Sequence, residues 1–174
     1  MNETLIRNWN LVVSPQDIVF HLGDVAFEKD EAKRDWLISR LNGEKHLIWG
    51  NHDKGLRQGW QRNFKSVADM RVVHVPPEAN AVYIGHRGGG QRIVLCHYAM
   101  RVWDQSHYGT WQLFGHSHGT LKDDPHMLSC DVGVDSWNFT PVSMEQLNAH
   151  MAKKTFKPLD HHGKTWSDDA DDPV

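Results

Sequence analysis

The chain is poor in cysteine, with only Cys96 and Cys130 among its 174 residues. They form no Cys-x-x-Cys pair, which excludes a disulfide scaffold and a thiolate-rich metal site. Each lies in an apolar run, where a reduced, buried thiol is expected. Long apolar stretches are also missing: none approaches the roughly 18 residues that span a bilayer. The start Met1-Asn2-Glu3-Thr4 lacks the basic and apolar segments of a secretory signal, so a soluble, cytoplasmic protein with no membrane partner is expected. Positive charge is not in surplus either. With 19 basic and 22 acidic side chains and a formal charge of -3, no broad cationic surface faces nucleic-acid phosphates, and strong nucleic-acid binding is not expected. No repeat occurs at solenoid or propeller periods.

Histidine is in excess, at 13 residues, alongside 8 tryptophans. Imidazole is the commonest metal ligand, whereas indole chiefly supplies buried area. The length suits one domain with a real core.

Leu5, Ile6 and Trp9 stand at helical spacing in residues 2–9, Ser14-Pro15 breaks the chain, and residues 18–22 form an apolar run. Asp30 is placed to cap a helix that turns Trp36, Leu37, Ile38 and Leu41 inward and closes at Asn42-Gly43 before a second apolar run at 46–49. Strand, helix, strand predicts a parallel β-α-β unit. Beyond residue 70 the short apolar runs 71–75, 81–84, 92–96, 112–114 and 127–134 predict sheet strands. Gly88-Gly89-Gly90 reads as a hairpin turn, since no helix start follows to aim N–H groups at a phosphate. A last helix is expected over 143–153. From 154 to 174 the chain turns polar and ends in Asp168-Asp169-Ala170-Asp171-Asp172, a disordered acidic tail by composition. The expected class is α/β, with sheet dominating the second half.

Three motifs and one lone histidine carry chemistry: Gly23-Asp24; Gly50-Asn51-His52-Asp53; His97; and Gly115-His116-Ser117-His118-Gly119. Each polar residue follows an apolar run, so strands deliver Asp24, Asn51, His97 and His116 to one sheet edge, where α/β folds bind ligands. A carboxylate, an amide oxygen and imidazole nitrogens suit Mn, Fe, Co, Ni or Zn rather than calcium, which takes oxygen alone. On an extended segment His116 and His118 face the same side, available to one ion or to two neighbouring ions. Tyr98, Trp103 and His107 either line a pocket or pack. Lys54, Arg57 and Arg62 either receive a phosphate or form a solvated basic face. His21 is strand structure or supports the site from behind.

Taken in order, these motifs resemble those of the calcineurin-like metallophosphoesterases: Asp-x-His, Gly-Asp, Gly-Asn-His-Asp/Glu, His, Gly-His-x-His. The resemblance spans residues 17–140. The stretches Cys96-His97-Tyr98, Ser106-His107-Tyr108-Gly109 and Leu113-Phe114-Gly115-His116-Ser117-His118-Gly119 are similar to the small bacterial and phage members. It implies a two-sheet β-sandwich flanked by helices and hydrolysis of a phosphomonoester or phosphodiester by a metal-bound hydroxide, with manganese the favoured ion. Asp24 is implied to bridge two metals, Asn51, His97 and His116 to complete the second site, and His118 to join the first. His52 is implied to be the general acid for the leaving oxygen, with Asp53 orienting its imidazole.

The first family motif, Asp-x-His, has no counterpart in residues 1–22; Asp17 has no histidine two positions later. The expectation is a metallophosphoesterase domain over 1–153 without its first strand and two of its ligands, occupied by one ion rather than two. A non-catalytic metal-binding or interaction protein of the same fold is the alternative, and an uncovered strand edge would favour self-association. Asp160-His161-His162 contains an Asp-x-His, but Lys157 and Pro158 interrupt the run before it, and proline cannot donate to a central ladder. A closed structural zinc site is disfavoured by the asparagine and by His52.

Overall fold

The computed structural model describes residues 2–77 and 89–160. The order is helix α1 (Asn2–Val12), strand β1 (Ile18–His21), α2 (Glu31–Ser39), β2 (Glu44–Ile48), β3 (Ser66–Ala68), β4 (Met70–Val75), β5 (Gln91–Cys96), β6 (Trp111–Phe114), β7 (Ser129–Asp131) and α3 (Met144–Met151), with short 3-10 turns between. Two sheets result, β1-β2-β3 and β4-β5-β6-β7. The first is wholly parallel. In the second, β4 pairs antiparallel with β5, and β5, β6 and β7 run parallel.

Side-chain alternation explains how the sheets share a core. Neighbouring residues of a strand point to opposite faces, so on β2 Ile48 joins Leu22, Leu95, Trp111 and Leu128 in the larger cluster. Leu47 instead joins Ile38, Leu56 and Phe64 beneath α2. Both sheets contribute to the larger cluster, which also takes Leu147 and Met151 of α3. β5 is apolar from Ile93 to Cys96 because both its faces are covered, as parallel strands require. Edge strand β4 alternates between exposed and half-buried positions instead.

Local signals set the helices. The Asp30 side chain accepts from the Lys33 N–H, and Ser143 with Gln146 closes a reciprocal box at the start of α3. Such caps contribute about 1 kcal/mol each. Two expectations are corrected. Trp36 does not face inward: it lies two positions from buried Ile38, roughly 200° round the helix, and is 54% exposed under the Arg40 guanidinium. Its inward place is taken by Arg34, which donates to the Gly55 carbonyl at 3.0 Å. Residues 154–160 are docked rather than the start of a free tail. Phe156 packs on the main core, and the N–H groups of Thr155 and Lys157 donate to the carbonyls of Pro125 and His126. Lys154 is buried, its ammonium donating to Asp123, Asp124 and Ser129. The expected strand at 81–84, Gly88, and residues 161–174, with His161, His162 and the acidic end, lie outside the described residues.

Among the described residues no helix is long and apolar enough to cross a membrane.

Candidate metal centre

The site forms where the C-terminal ends of parallel strands from both sheets meet. Asp24 follows β1 and Asn51 follows β2 in the first sheet; His97 follows β5 and His116 follows β6 in the second. Two glycines allow the approach. At Gly23, with φ +94°, a Cβ would stand 2.5 Å from His97 Nδ1 and 2.6 Å from the Gly50 backbone, closer than any real side chain permits. At Gly50 a Cβ would collide with the Asp24 carboxylate.

His97 is the centre of the group and is 1% exposed. Its Nδ1 donates to the Leu22 carbonyl at 2.6 Å, which leaves the Nε2 lone pair facing the site. Around Nε2 stand Asn51 Oδ1 at 3.0 Å, His116 Nδ1 at 3.2 Å and Asp24 Oδ2 at 3.4 Å. A carboxylate oxygen, an amide oxygen and two ring nitrogens thus turn lone pairs toward one another. Only a proton or a cation between them makes that arrangement attractive. The three distances from Nε2 also fit, since an ion with bonds of about 2.1 Å keeps adjacent donors about 3.0–3.4 Å apart in octahedral or tetrahedral geometry, and the Asp24, His97 and His116 ligand atoms all lie within 4.8 Å of one another. Asp24, His97 and His116 are the described titratable residues whose ligand atoms converge to metal-binding range. The donor set is therefore suited to one borderline divalent ion. Asp24 and His116 adopt φ of +55° and +62°, sparsely populated backbone for residues with a Cβ.

His52 stands exposed at the rim. Its N–H donates to Asp24 Oδ1 at 2.8 Å, so one carboxylate places an oxygen toward the metal group and the other on the His52 backbone. Asp53 has a different task from the one expected. It is 2% exposed, and its carboxylate accepts from the N–H groups of Asp24, Val25 and Gly50 at 2.8, 2.9 and 2.8 Å. It clamps the two motif loops together instead of holding the His52 ring. Three backbone donors suit a carboxylate acceptor better than the single imidazole of its chain neighbour His52.

His118 lies outside the converging group. Its Nδ1 is 2.5 Å from Asp135 Oδ2, and that carboxylate raises the imidazole pKa above its ordinary value. Asp135 carries no motif signal, falling just after the apolar run 127–134. The Leu22 carbonyl is another partner missed in the sequence, while Tyr98, expected to line a pocket or pack, brings its hydroxyl to 3.4 Å from Asn51 Oδ1. The Tyr98 ring meets His97 and His116 edge-on at 4.9 and 4.7 Å. His21 lies behind the site against Trp9, and burial pushes its pKa down despite Asp53 and Asp24 nearby.

Trp103 is buried, donating to the Thr110 carbonyl, and His107 faces Asp160. Arg57 lies over Trp49, and Arg62 is paired with Glu31 and Asp35.

No family profile matches the chain. It is 33% identical over 151 residues to the uncharacterized protein MJ1445 of Methanocaldococcus jannaschii, covering 83% of this chain and 72% of the relative. It is 27% identical to the Gene 66 proteins of Mycobacterium phages L5 and D29, over 77% of this chain and 73% and 75% of theirs. The crystal structure of AQ665, a protein of unknown function from Aquifex aeolicus, superposes with a TM-score of 0.59 at 19% identity, covering 86% of this chain and 84% of that one. This last likeness is one of fold.

Proposed function

The chain belongs to the same family as MJ1445 of Methanocaldococcus jannaschii, and for this member we propose metal-dependent hydrolysis of a phosphate ester, as in the calcineurin-like metallophosphoesterases. The observation that carries this reading is the convergence of Asp24, Asn51 and His116 on His97 Nε2 within 3.0–3.4 Å. These four side chains would hold one divalent ion, manganese being the favoured candidate. When bound, such an ion supplies Lewis acidity to a phosphoryl oxygen and makes water acidic enough to act near neutral pH.

The protein's own groups supply the rest. The Leu22 carbonyl keeps the proton on His97 Nδ1 and the lone pair on Nε2. Asp53 holds the Asp24 and Gly50 loops in register, so the ligands are positioned before substrate arrives. His52, tethered to Asp24 through its backbone and open to solvent, would pass a proton to the oxygen of the departing alcohol. General acids in that position contribute on the order of 10²–10⁴ in rate.

Chelator-stripped protein refilled with manganese tests this, with bis-p-nitrophenyl phosphate and p-nitrophenyl phosphate as substrates and metal counted on the same sample. Turnover that requires metal and vanishes in His97→Ala supports the proposal; a folded, metal-loaded protein without turnover overturns it. That second outcome is the one expected of a non-catalytic metal-binding protein, a reading favoured by the pairing of His118 with Asp135 outside the ligand group.

A further inference from the structure

Phe27 lies on the loop between β1 and α2, three residues after the ligand Asp24. Its ring centroid is 5.1 Å from that of His52, the planes tilted by 56°, and the residue is 69% exposed. A single exposed apolar side chain is ordinary. This one differs in its support and in its neighbour. The loop is pinned at one end by Asp53, which accepts from the N–H groups of Asp24 and Val25, and at the other by Asp30 at the start of α2. The ring stands beside His52 at the rim, two residues beyond the Val25 amide that Asp53 holds. Tyr98, the other exposed aromatic at the site, is engaged differently: its ring meets two ligand histidines and its hydroxyl faces Asn51.

We propose that Phe27 is a specificity-determining residue that selects phosphate esters whose leaving group carries a flat aromatic ring. The inference rests on the hydrolase reading above, because it takes the leaving oxygen to sit at His52. Whatever is bonded to that oxygen must pass the His52 ring, and the surface adjoining His52 is Phe27. A flat ring stacks offset or edge-on against phenylalanine, and such pairs exceed the gain from area alone. A saturated ring of equal size buries similar surface without that geometry.

Benzyl phosphate and cyclohexylmethyl phosphate isolate the effect, since both release a primary alcohol of nearly the same size. With the manganese-loaded protein, KM for the benzyl ester is expected to be about three- to tenfold lower, with the advantage lost in Phe27→Ala and kept in Phe27→Trp. Calorimetric Kd values for benzylphosphonate and cyclohexylmethylphosphonate, which cannot be hydrolysed, provide a readout independent of turnover. Equal KM values in the parent protein, or an advantage that persists in Phe27→Ala, overturn the proposal while leaving the hydrolase reading intact. Phosphonate discrimination lost in Phe27→Ala, without any turnover, supports Phe27 as the ring-binding residue and overturns the hydrolase reading. Neither turnover nor phosphonate binding overturns both.

Discussion

The ring of His97 is locked by the main chain of Leu22, 75 residues earlier: Nδ1 lies 2.6 Å from that carbonyl oxygen. A carbonyl can only accept, so the proton is on Nδ1 and the lone pair facing Asp24, Asn51 and His116 is on Nε2. Metal affinity should therefore depend on this one side chain. Manganese at about 100 times its Kd should stabilise the parent protein by about 2.7 kcal/mol. His97→Ala should remove nearly all of that gain, read as the loss of the metal-induced rise in Tm.

Loss of the His52 imidazole should be felt according to the alcohol that leaves. His52→Ala is expected to lower kcat on order of 10²–10⁴ for an alkyl ester and by less than about tenfold for a p-nitrophenyl ester, whose phenolate departs unaided. A uniform loss across both substrates would argue against a proton-donating role. Circular dichroism checks that the exposed substitution leaves the fold unchanged.

Asp53 joins three backbone N–H groups from two loops. Replacing it with asparagine removes the charge and turns an amide N–H₂ toward backbone donors. Hydrogen bonds to charged groups contribute about 1.5–3 kcal/mol each. Asp53→Asn is expected to destabilise by about 3 kcal/mol in urea unfolding and to weaken manganese binding, although Asp53 is not itself a ligand.

Gly23 tolerates no side chain. Its φ of +94° and the 2.5 Å approach to His97 Nδ1 combine backbone strain of about 1–2 kcal/mol with overpacking of about 1–3 kcal/mol. Gly23→Ala should lose about 3 kcal/mol of stability and, by displacing the His97 ring, most of its metal affinity. Urea unfolding and metal titration on one preparation report both.

Burial pushes the Cys130 thiol up to about 12, with Asp123 and Asp131 acting in the same direction. In the unfolded chain the thiol ionises near its ordinary value of 9.0. Between those two values the unfolded state binds fewer protons, so stability falls as pH rises, by up to about 1.4 kcal/mol per pH unit from this group. Unfolding free energies at pH 9 and 10.5 should diverge more in the parent than in Cys130→Ala. Cys130 should resist a thiol reagent until the protein unfolds.

Much of this protein was legible in its sequence because the signals are local. Short apolar runs mark β1, β2 and β4, Asp30 and Ser143 cap helices through their own next turn, and Asp24, Asn51, His97 and His116 each follow a strand whose end can be read directly. Chemistry of the donor set then points to a divalent ion. What the tertiary structure decided depends on contacts between distant segments. His97 takes its tautomer from the carbonyl of Leu22, just past β1 of the other sheet, and Asp53 satisfies amides of the β1 loop rather than its neighbour His52. His118 turns to Asp135, from a turn beyond β7. Phe27, on the β1 loop, meets His52, on the β2 loop, across 25 residues of chain. At Asp24, His116 and His118 the direction of the side chain past a strand end is set by turn conformation, with positive φ at each. Such conformations hold only where packing and long-range hydrogen bonds over-determine them.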